Sequence, residues 1–167
     1  MITELGLDCG DICMTHPIEI TPNMNCVELF EICATESPQL LEKTLLGLVD
    51  GTVTPTKQCE DGVCFADKLQ KEECLIDWNK SAQEIHNLVR GVYKCPSAHF
   101  EYEGKIIKVL ETEPLNENIE GEIGKFVKIS KLGIDVKTAN GVLRLIKVKP
   151  EGKGEMFARD WYNGLRK

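Results

Sequence analysis

Residues 98–148 alternate between apolar and polar side chains, and this period of two constrains the fold more than any other feature of the chain. The alternation predicts five short strands, at 98–102, 106–110, 123–129, 134–136 and 142–148. Glycine-containing turns separate several of them, at Glu103 and Gly104, Leu132 and Gly133, and Asn140 and Gly141. Five strands with glycine turns and no helices between them are typical of a small, partly open β-barrel of the OB type, a fold that often holds nucleic acids or sugars.

Helical patterns flank this segment on both sides. Residues 81–84 read Ser-Ala-Gln-Glu, a capping box that predicts the start of a helix. His86 lies off the apolar face of that helix, which predicts a solvated or capping histidine rather than a ligand. Residues 155–167 predict a short final helix with Trp161 and Leu165 turned inward.

Residues 25–50 predict two short consecutive helices. Asn25 and Glu28 form a reciprocal cap at the start of the first helix. Pro38 suits the first turn of a second helix, and Gly51 ends that helix. The apolar faces of both helices are expected to pack on a sheet and cover it.

A tight turn at residues 6–12, with the sequence Gly-Leu-Asp-Cys-Gly-Asp-Ile, joins strands predicted at 2–5 and 12–18. Its glycines permit the close approach of a ligand to the main chain. Asp8 has Leu5, Leu7 and Ile12 as apolar neighbours, and partial desolvation would suit a proton acceptor. The same pattern also fits an ordinary Asx turn.

Charge is distributed unevenly along the chain. The net charge is −7, which by itself argues against a nucleic-acid binder. Residues 121–167, however, carry eleven basic and five acidic residues, a net charge of +6, whereas residues 1–120 carry −13. The C-terminal part alone has the charge that attracts phosphates, although lysines common on exposed strands would give the same count.

The eight cysteines never show a C-x2-C spacing, and free thiols acting as small hydrophobes are the simplest prediction. Cys9, Cys13, Cys59 and Cys64 would bind zinc only if the fold brought them together, so no metal is predicted. The sequence shows no export signal and no apolar run of membrane-spanning length. We therefore expect a cytoplasmic protein that makes no membrane contact.

Three stretches of the sequence carry a resemblance to a known family. They are residues 6–12, the run Ile-Asp-Trp-Asn-Lys-Ser-Ala-Gln-Glu-Ile-His-Asn-Leu-Val-Arg-Gly at 76–91, and Lys-Pro-Glu-Gly-Lys-Gly-Glu-Met at 149–156. Together with the strand pattern between them, they resemble the C-terminal part of the methionyl-tRNA formyltransferase family along essentially the whole chain. The second stretch is the most specific.

The resemblance implies an α+β architecture. Residues 1–70 would be the remnant of a doubly wound α/β formyltransferase domain, 71–80 a linker, and 81–167 a small OB-like β-barrel that binds tRNA. The implied reaction transfers a formyl group from 10-formyltetrahydrofolate to the amino group of initiator methionyl-tRNA. Asp8 would be the catalytic aspartate, and Leu7 and Asp8 would contact the folate.

Six basic residues are candidate phosphate contacts for the tRNA, in the linker region and in the C-terminal part of the chain. They are Lys68, Lys71, Arg90, Lys128, Lys147 and Lys149.

The sequence also departs from the family pattern. The Asn-x-His pair that in the family holds the formyl oxygen has no counterpart, since His16 follows Asp8 instead of preceding it. Lys94-Cys95-Pro96 stands where the family has Asn-Pro-Trp-Pro. We therefore expect the chain to be a fragment, or one half of a split gene, of such an enzyme, and to be inactive without the N-terminal half. Two alternatives are a stand-alone RNA-binding module, or part of a related enzyme that formylates a sugar amine or hydrolyses formyl-folate.

Overall fold

The structure is a computed structural model that describes residues 1–94, 96–117 and 119–165. The chain forms two compact units, Met1–Lys68 and Leu69–Lys167. Cys95, at the centre of the Lys-Cys-Pro departure, lies outside the described residues, as do Arg166 and Lys167 at the end of the predicted final helix.

The first unit contains one helix, α1 (Cys26–Asp50). The described residues of the second unit form a 3-10 turn (Glu72–Cys74), two helices and six strands: α2 (Ala82–Gly91), β1 (His99–Tyr102), β2 (Lys105–Leu115), β3 (Phe126–Ile129), β4 (Ile134–Lys137), β5 (Val142–Pro150), β6 (Met156–Phe157) and α3 (Ala158–Leu165).

Both predicted ends of the α1 segment are confirmed. The side-chain oxygen of Asn25 accepts hydrogen bonds from the N–H groups of Val27 at 2.9 Å and Glu28 at 3.1 Å. The Glu28 carboxylate accepts one from the Asn25 N–H at 2.9 Å, which completes the capping box. Gly51 ends the helix in the left-handed conformation, with φ 77°.

The prediction of two separate helices is wrong, because α1 continues through Pro38. Proline removes one backbone hydrogen bond and crowds the carbonyl four residues earlier. Two hydroxyls beside it bond back to carbonyls of the preceding turn: Thr35 donates to Glu31 O at 2.9 Å, and Ser37 donates to Cys33 O. Such bonds bend a helix slightly, and we attribute the unbroken path of α1 to this local adjustment.

The strands predicted at 2–5 and 12–18 are also wrong. The chain there is irregular, and its pairing is limited to an isolated antiparallel bridge between Ile12 and Thr56. A strand requires partners for its backbone N–H and C=O groups. Met1–Lys68, all of which the structure describes, contains no strand to supply them.

The second unit is built on an antiparallel sheet with the strand order β1-β2-β5-β4-β3, and β6 pairs with β5. The five predicted strands and their turns are confirmed, although the strand predicted from residue 123 begins only at Phe126. Gly133 shows why one turn needs glycine: its φ is 154°, and a Cβ atom there would lie 2.2 Å from the carbonyl oxygen of Leu145. The two-residue strand β6 was not predicted.

The sheet is curled, so that its two end strands meet. Tyr102 of β1 stacks on Phe126 of β3 with ring centroids 5.2 Å apart. Trp161 of α3 contacts both rings edge-on, at 5.3 and 6.2 Å. Trp161 is 4% exposed, as predicted, but Leu165 is 38% exposed, so its predicted inward orientation is wrong. The protein is thus a mixed α/β protein with a curled antiparallel sheet.

Helix α2 covers the sheet at β2 and β5. The prediction that His86 is solvated is wrong, because this side chain is buried and its Nδ1 lies 2.9 Å from the Thr112 hydroxyl of β2. The helical pattern missed this contact because it scores His86 only against its own helix, not against the strand beneath it.

A buried ion pair connects three neighbouring strands. Arg144 of β5 donates two hydrogen bonds to Asp135 of β4, Nε to Oδ1 at 2.7 Å and Nη2 to Oδ2 at 3.0 Å. It donates a third bond to Glu113 of β2 at 3.2 Å. Asp135 is fully buried and Arg144 is 8% exposed. The hydrogen bond to Asp135 raises the pKa of Arg144 above its ordinary value, because the carboxylate stabilises the charged guanidinium.

We expect Ser81→Ala to lower the free energy of unfolding by about 1 kcal/mol, as for other serine N-caps. Ser81 Oγ accepts a hydrogen bond from the Glu84 N–H at 3.2 Å, and the Glu84 carboxylate accepts one from the Ser81 N–H at 2.9 Å. The Ser81 hydroxyl also lowers the pKa of Glu84. The stabilisation from Glu84 is therefore complete above the ordinary glutamate pKa and is lost as the pH falls through the lowered, folded-state pKa.

Urea unfolding at about pH 7 and about pH 3 measures both effects. Gln83→Ala is the matched control. Gln83 is exposed in the first turn of the same helix, and its substitution should change the free energy of unfolding by less than about 0.5 kcal/mol. Equal stability of Ser81→Ala and the wild type at neutral pH would contradict the role of this cap.

Candidate functional site

Asp8 lies on the turn of the first unit with a left-handed backbone, φ 52°. Few residues other than glycine adopt this conformation, and aspartate is among those that tolerate it. The side chain is exposed to solvent. A strained backbone of this kind is frequent at functional sites.

Gln58 fixes this turn from a distant part of the same unit. Its side-chain amide donates hydrogen bonds to the carbonyl oxygens of Asp8 at 2.8 Å and Gly10 at 2.7 Å. Backbone bonds between Ile12 and Thr56, at 2.8 and 2.9 Å, hold the two segments together beside it. Sequence reasoning missed Gln58 because it lies 50 positions from Asp8 and no local signal connects the two residues.

Gly10 is required at this turn for a different reason from the predicted one. A Cβ atom at Gly10 would lie 1.8 Å from the carbonyl oxygen of Ile2, and the Ile2 N–H donates to Asp11 O at 2.9 Å. The close approach that the glycine permits is therefore made by the protein's own main chain. The expectation that a ligand approaches Gly10 is wrong where a Cβ atom would project, because the Ile2 carbonyl occupies that space.

The apolar surroundings expected for Asp8 are not formed by the first unit. Leu5 is completely exposed, and Leu7, the second predicted folate contact, is 76% exposed. Ile12 is exposed as well, at 36%. Any desolvation of Asp8 must come from groups other than those of Met1–Lys68.

The first unit has almost no buried core. In Met1–Lys68, all of which the structure describes, the buried residues are Gly10 and Gly47. Large apolar side chains along one stripe of α1 are exposed: Val27 37%, Phe30 74%, Leu41 59% and Leu45 54%. Exposed apolar surface on this scale is typical of an interface, and we call this set the α1 stripe.

The candidate phosphate contacts lie on several elements of the two units. Lys68 is exposed in the first unit, and Lys71 is exposed just before the 3-10 turn of the second unit. Arg90 on α2 donates to the Asn87 side chain at 3.0 Å. Lys128 is exposed on β3, which is an end strand of the sheet, whereas the two remaining lysines lie on β5.

The two lysines of β5 differ in their surroundings. Lys147 forms an ion pair with Glu111 of β2 at 2.7 Å, and the hydrogen bond in this pair raises the pKa of Lys147. Lys149 lies opposite Lys108 of β2 and is exposed. Lys147 therefore has a carboxylate beside it, whereas the cross-strand neighbour of Lys149 has the same charge.

Metal binding finds no support in the part of the chain that the structure describes, where no group of three or more His, Cys, Asp or Glu residues could hold an ion. The seven described cysteines are free thiols. Only Cys74 among them is buried, and burial raises its pKa. The prediction that the thiols act as small hydrophobes therefore holds for Cys74 and is wrong for the exposed Cys9, Cys59 and Cys64.

The described residues contain no helix with the length and apolar character needed to cross a membrane.

Residues 68–166 match the family described as "Formyl transferase, C-terminal domain". The chain belongs to this family. The formyl transferase C-terminal domain thus comprises the curled sheet with its helices, and the match begins at the boundary between the two units.

Curated relatives of this family member extend the similarity over both units. The methionyl-tRNA formyltransferase of Clostridium novyi (strain NT) is 36% identical over 164 residues, which are 98% of this chain and 53% of the relative. The enzyme of the same name from Clostridium beijerinckii (strain ATCC 51743 / NCIMB 8052) is 40% identical over 154 residues, 92% of this chain and 50% of the relative. The chain spans about half the length of the curated relatives it matches.

Solved structures share the fold of this formyl transferase family member. HypX from Aquifex aeolicus in complex with tetrahydrofolic acid has a TM-score of 0.72 and 15% identity, over 98% of this chain and 29% of HypX. The N-formyltransferase from Helicobacter canadensis, in complex with folinic acid and dTDP-3-aminofucose, has a TM-score of 0.66 and 18% identity, over 86% of this chain and 52% of that protein. At these identities the likeness concerns the fold alone.

Proposed function

We propose that the chain is the C-terminal part of a methionyl-tRNA formyltransferase, which transfers a formyl group from 10-formyltetrahydrofolate to the amino group of initiator methionyl-tRNA. The observation that carries this proposal is the similarity to relatives of that name along 98% of the chain. A complete enzyme of this kind would act in the cytoplasm, where it would serve translation initiation.

Asp8 is the catalytic residue in this proposal, and Leu7 and Asp8 contact the folate. 10-Formyltetrahydrofolate supplies the formyl group. Asp8 accepts a proton as the amine nitrogen attacks the formyl carbon, so that the new C–N bond forms without a build-up of positive charge on nitrogen. The bond between the formyl carbon and the donor nitrogen then breaks, and tetrahydrofolate leaves with a proton on that nitrogen. The exposed carboxylate on a turn held by Gln58 supports this role, because the backbone of the turn is held in place and the carboxylate is open to a reacting group.

Asp8 alone is not sufficient for the reaction. Negative charge develops on the formyl oxygen during the attack, and each hydrogen-bond donor that stabilises it is worth about 3–4 kcal/mol. The Asn-x-His pair that supplies such donors in the family has no counterpart in this sequence. The proposal therefore assigns these donors, and most of the folate site, to an N-terminal half.

The α1 stripe is the surface that this N-terminal half would cover. Its exposed side chains lie along one face of a helix of 25 residues. A doubly wound domain buries such a face against its parallel sheet. The relatives are about twice as long as this chain, and so they contain enough additional sequence to form that sheet.

The second unit would hold the tRNA. We propose that residues 81–167 act as an OB-like domain after a linker at 71–80, and that residues 1–70 complete the catalytic domain. The contact of β1 and β3 through stacked rings supports a barrel-like closure.

The unit Leu69–Lys167 carries seventeen basic and fifteen acidic residues, whereas Met1–Lys68 carries three basic and twelve acidic residues. A polyanion is therefore attracted to the second unit. The proposed phosphate contacts remain Lys68, Lys71, Arg90, Lys128, Lys147 and Lys149.

Binding of an initiator tRNA transcript to the full chain tests the RNA role. We expect the logarithm of the affinity to fall linearly with the logarithm of the salt concentration, with a slope of about 0.7 to 0.9 for each phosphate contact. Fluorescence anisotropy at increasing KCl measures this slope. Weak binding with a flat salt dependence would remove the tRNA role from the proposal.

The alternatives have less support. A sugar-amine formyltransferase is suggested by the fold likeness to the Helicobacter canadensis protein, but 18% identity supports the fold alone. Against the formyl-folate hydrolase and the stand-alone RNA-binding module stands the near-full-length similarity to relatives named methionyl-tRNA formyltransferase, which includes the Asp8 unit.

A further inference from the structure

Two lysines face each other across the central strands of the sheet. Lys108 of β2 is the direct antiparallel partner of Lys149 of β5. Their neighbours Ile107, Val109 and Val148 are buried, whereas both lysines are exposed. Since side chains alternate between the two faces of a strand, both lysines lie side by side on the solvent face of the sheet.

This pairing is unfavourable without a counter-charge. Directly opposed residues in an antiparallel pair have Cβ atoms about 4.5–5.5 Å apart, and like charges at that distance repel. The ion pairs of the described residues include neither Lys108 nor Lys149. Two residues before Lys149 on the same strand, Lys147 does have a carboxylate partner, Glu111 of β2. The positive charge at Lys108 and Lys149 is thus not neutralised by an ion pair among those of the described residues.

A third lysine lines the same groove. The groove has a volume of about 310 Å³, and its lining includes Ile106, Lys108, Lys149 and Lys153. Lys153 follows β5 in a turn that its own N–H closes on Pro150 O at 3.0 Å. Glu151 is the one carboxylate among the lining residues, so the groove carries three positive charges and one negative charge.

We propose that this groove binds neighbouring backbone phosphates of the RNA, with Lys108, Lys149 and Lys153 as their ligands. Lysine is a flexible point charge that suits a phosphate approached from several directions. The proposal rests on the tRNA role proposed above and assigns to it one site, of which only Lys149 was among the sequence candidates.

The test compares two doubly substituted chains that lose the same charge. Lys108→Gln/Lys149→Gln removes the facing pair. Lys125→Gln/Lys131→Gln removes two exposed lysines on either side of β3, which is an end strand of the sheet. Each full-length chain is titrated with the initiator tRNA transcript at several KCl concentrations. We expect the first variant to lose about 1.5 units of salt slope, and to bind at least about tenfold more weakly at 0.1 M KCl, while the second keeps the wild-type slope.

Thermal unfolding separates lost binding from lost folding. Because the first variant removes a repulsion, its Tm should equal or exceed that of the wild type. Should that Tm fall, Lys153→Gln on the exposed turn decides the question, with an expected loss of about 0.8 units of slope.

Each result has one meaning. An unchanged slope in the Lys108/Lys149 variant, or an equal loss in the Lys125/Lys131 control, overturns the groove while the tRNA role stands. Flat binding by the wild type overturns the groove and the tRNA role together.

Discussion

Asp135→Ala is expected to lower the free energy of unfolding by about 3–5 kcal/mol, the usual cost of removing one partner from a buried ion pair. The substitution leaves the Arg144 guanidinium buried with only Glu113 as an acidic partner, and the Glu113 side chain is 52% exposed. Domains of this size have a total stability of about 5–15 kcal/mol, so a loss of this size approaches complete unfolding.

Urea unfolding followed by tryptophan fluorescence measures this effect. Both tryptophans, Trp78 and Trp161, belong to the second unit, so the signal reports on the unit that contains Asp135. Glu113→Ala is the matched control, and we expect it to cost at most about 1 kcal/mol, because an exposed partner is screened by solvent. The double variant Asp135→Leu/Arg144→Met should recover most of the loss, because it leaves no unpaired charge. If Asp135→Ala cost no more than Glu113→Ala, the pair would not contribute as described.

Asp8→Asn is expected to reduce the rate of formyl transfer by about 10²–10⁴-fold once the chain is combined with an N-terminal half, the usual contribution of a general base. Asparagine keeps the shape of the side chain and the hydrogen bonds from Gln58, which involve backbone oxygens of the turn. The substitution therefore removes the proton acceptor without removing the turn.

The measurement is formation of formyl-methionyl-tRNA by the mixture. Asp11→Asn, three positions away on the same turn, loses the same charge and should leave the rate close to that of the wild type. If the mixture containing Asp8→Asn formed product at the wild-type rate, Asp8 would not be the base.

Local features of the fold could be predicted from the sequence because their causes lie within a few residues. The caps at Asn25 and Ser81 and the left-handed glycine at Gly51 depend on short-range hydrogen bonds and on backbone angles. Strands in the second unit were predictable because each finds a partner in the same sheet. The strands predicted around the Asp8 turn failed because the pattern cannot show whether a partner exists.

Contacts between distant positions explain the remaining differences. The buried His86 ring lies within hydrogen-bond distance of Thr112, 26 positions away, and the backbone of the Asp8 turn is held by the Gln58 side chain. The contrast between Lys147 and Lys149 depends on what each meets on β2, a carboxylate or another lysine. The candidate residues themselves could be proposed from family resemblance, but their surroundings required the fold.

The central claim is that this chain presents Asp8 and a tRNA-binding unit to a partner that holds the formyl donor. The most direct measurement mixes the purified chain with the N-terminal half of a clostridial methionyl-tRNA formyltransferase, the part of the relative that this chain does not match. Formylation of initiator methionyl-tRNA is then assayed with each half alone and with both. We predict product only from the mixture, whereas product from this chain alone, or none from the mixture, would contradict the claim.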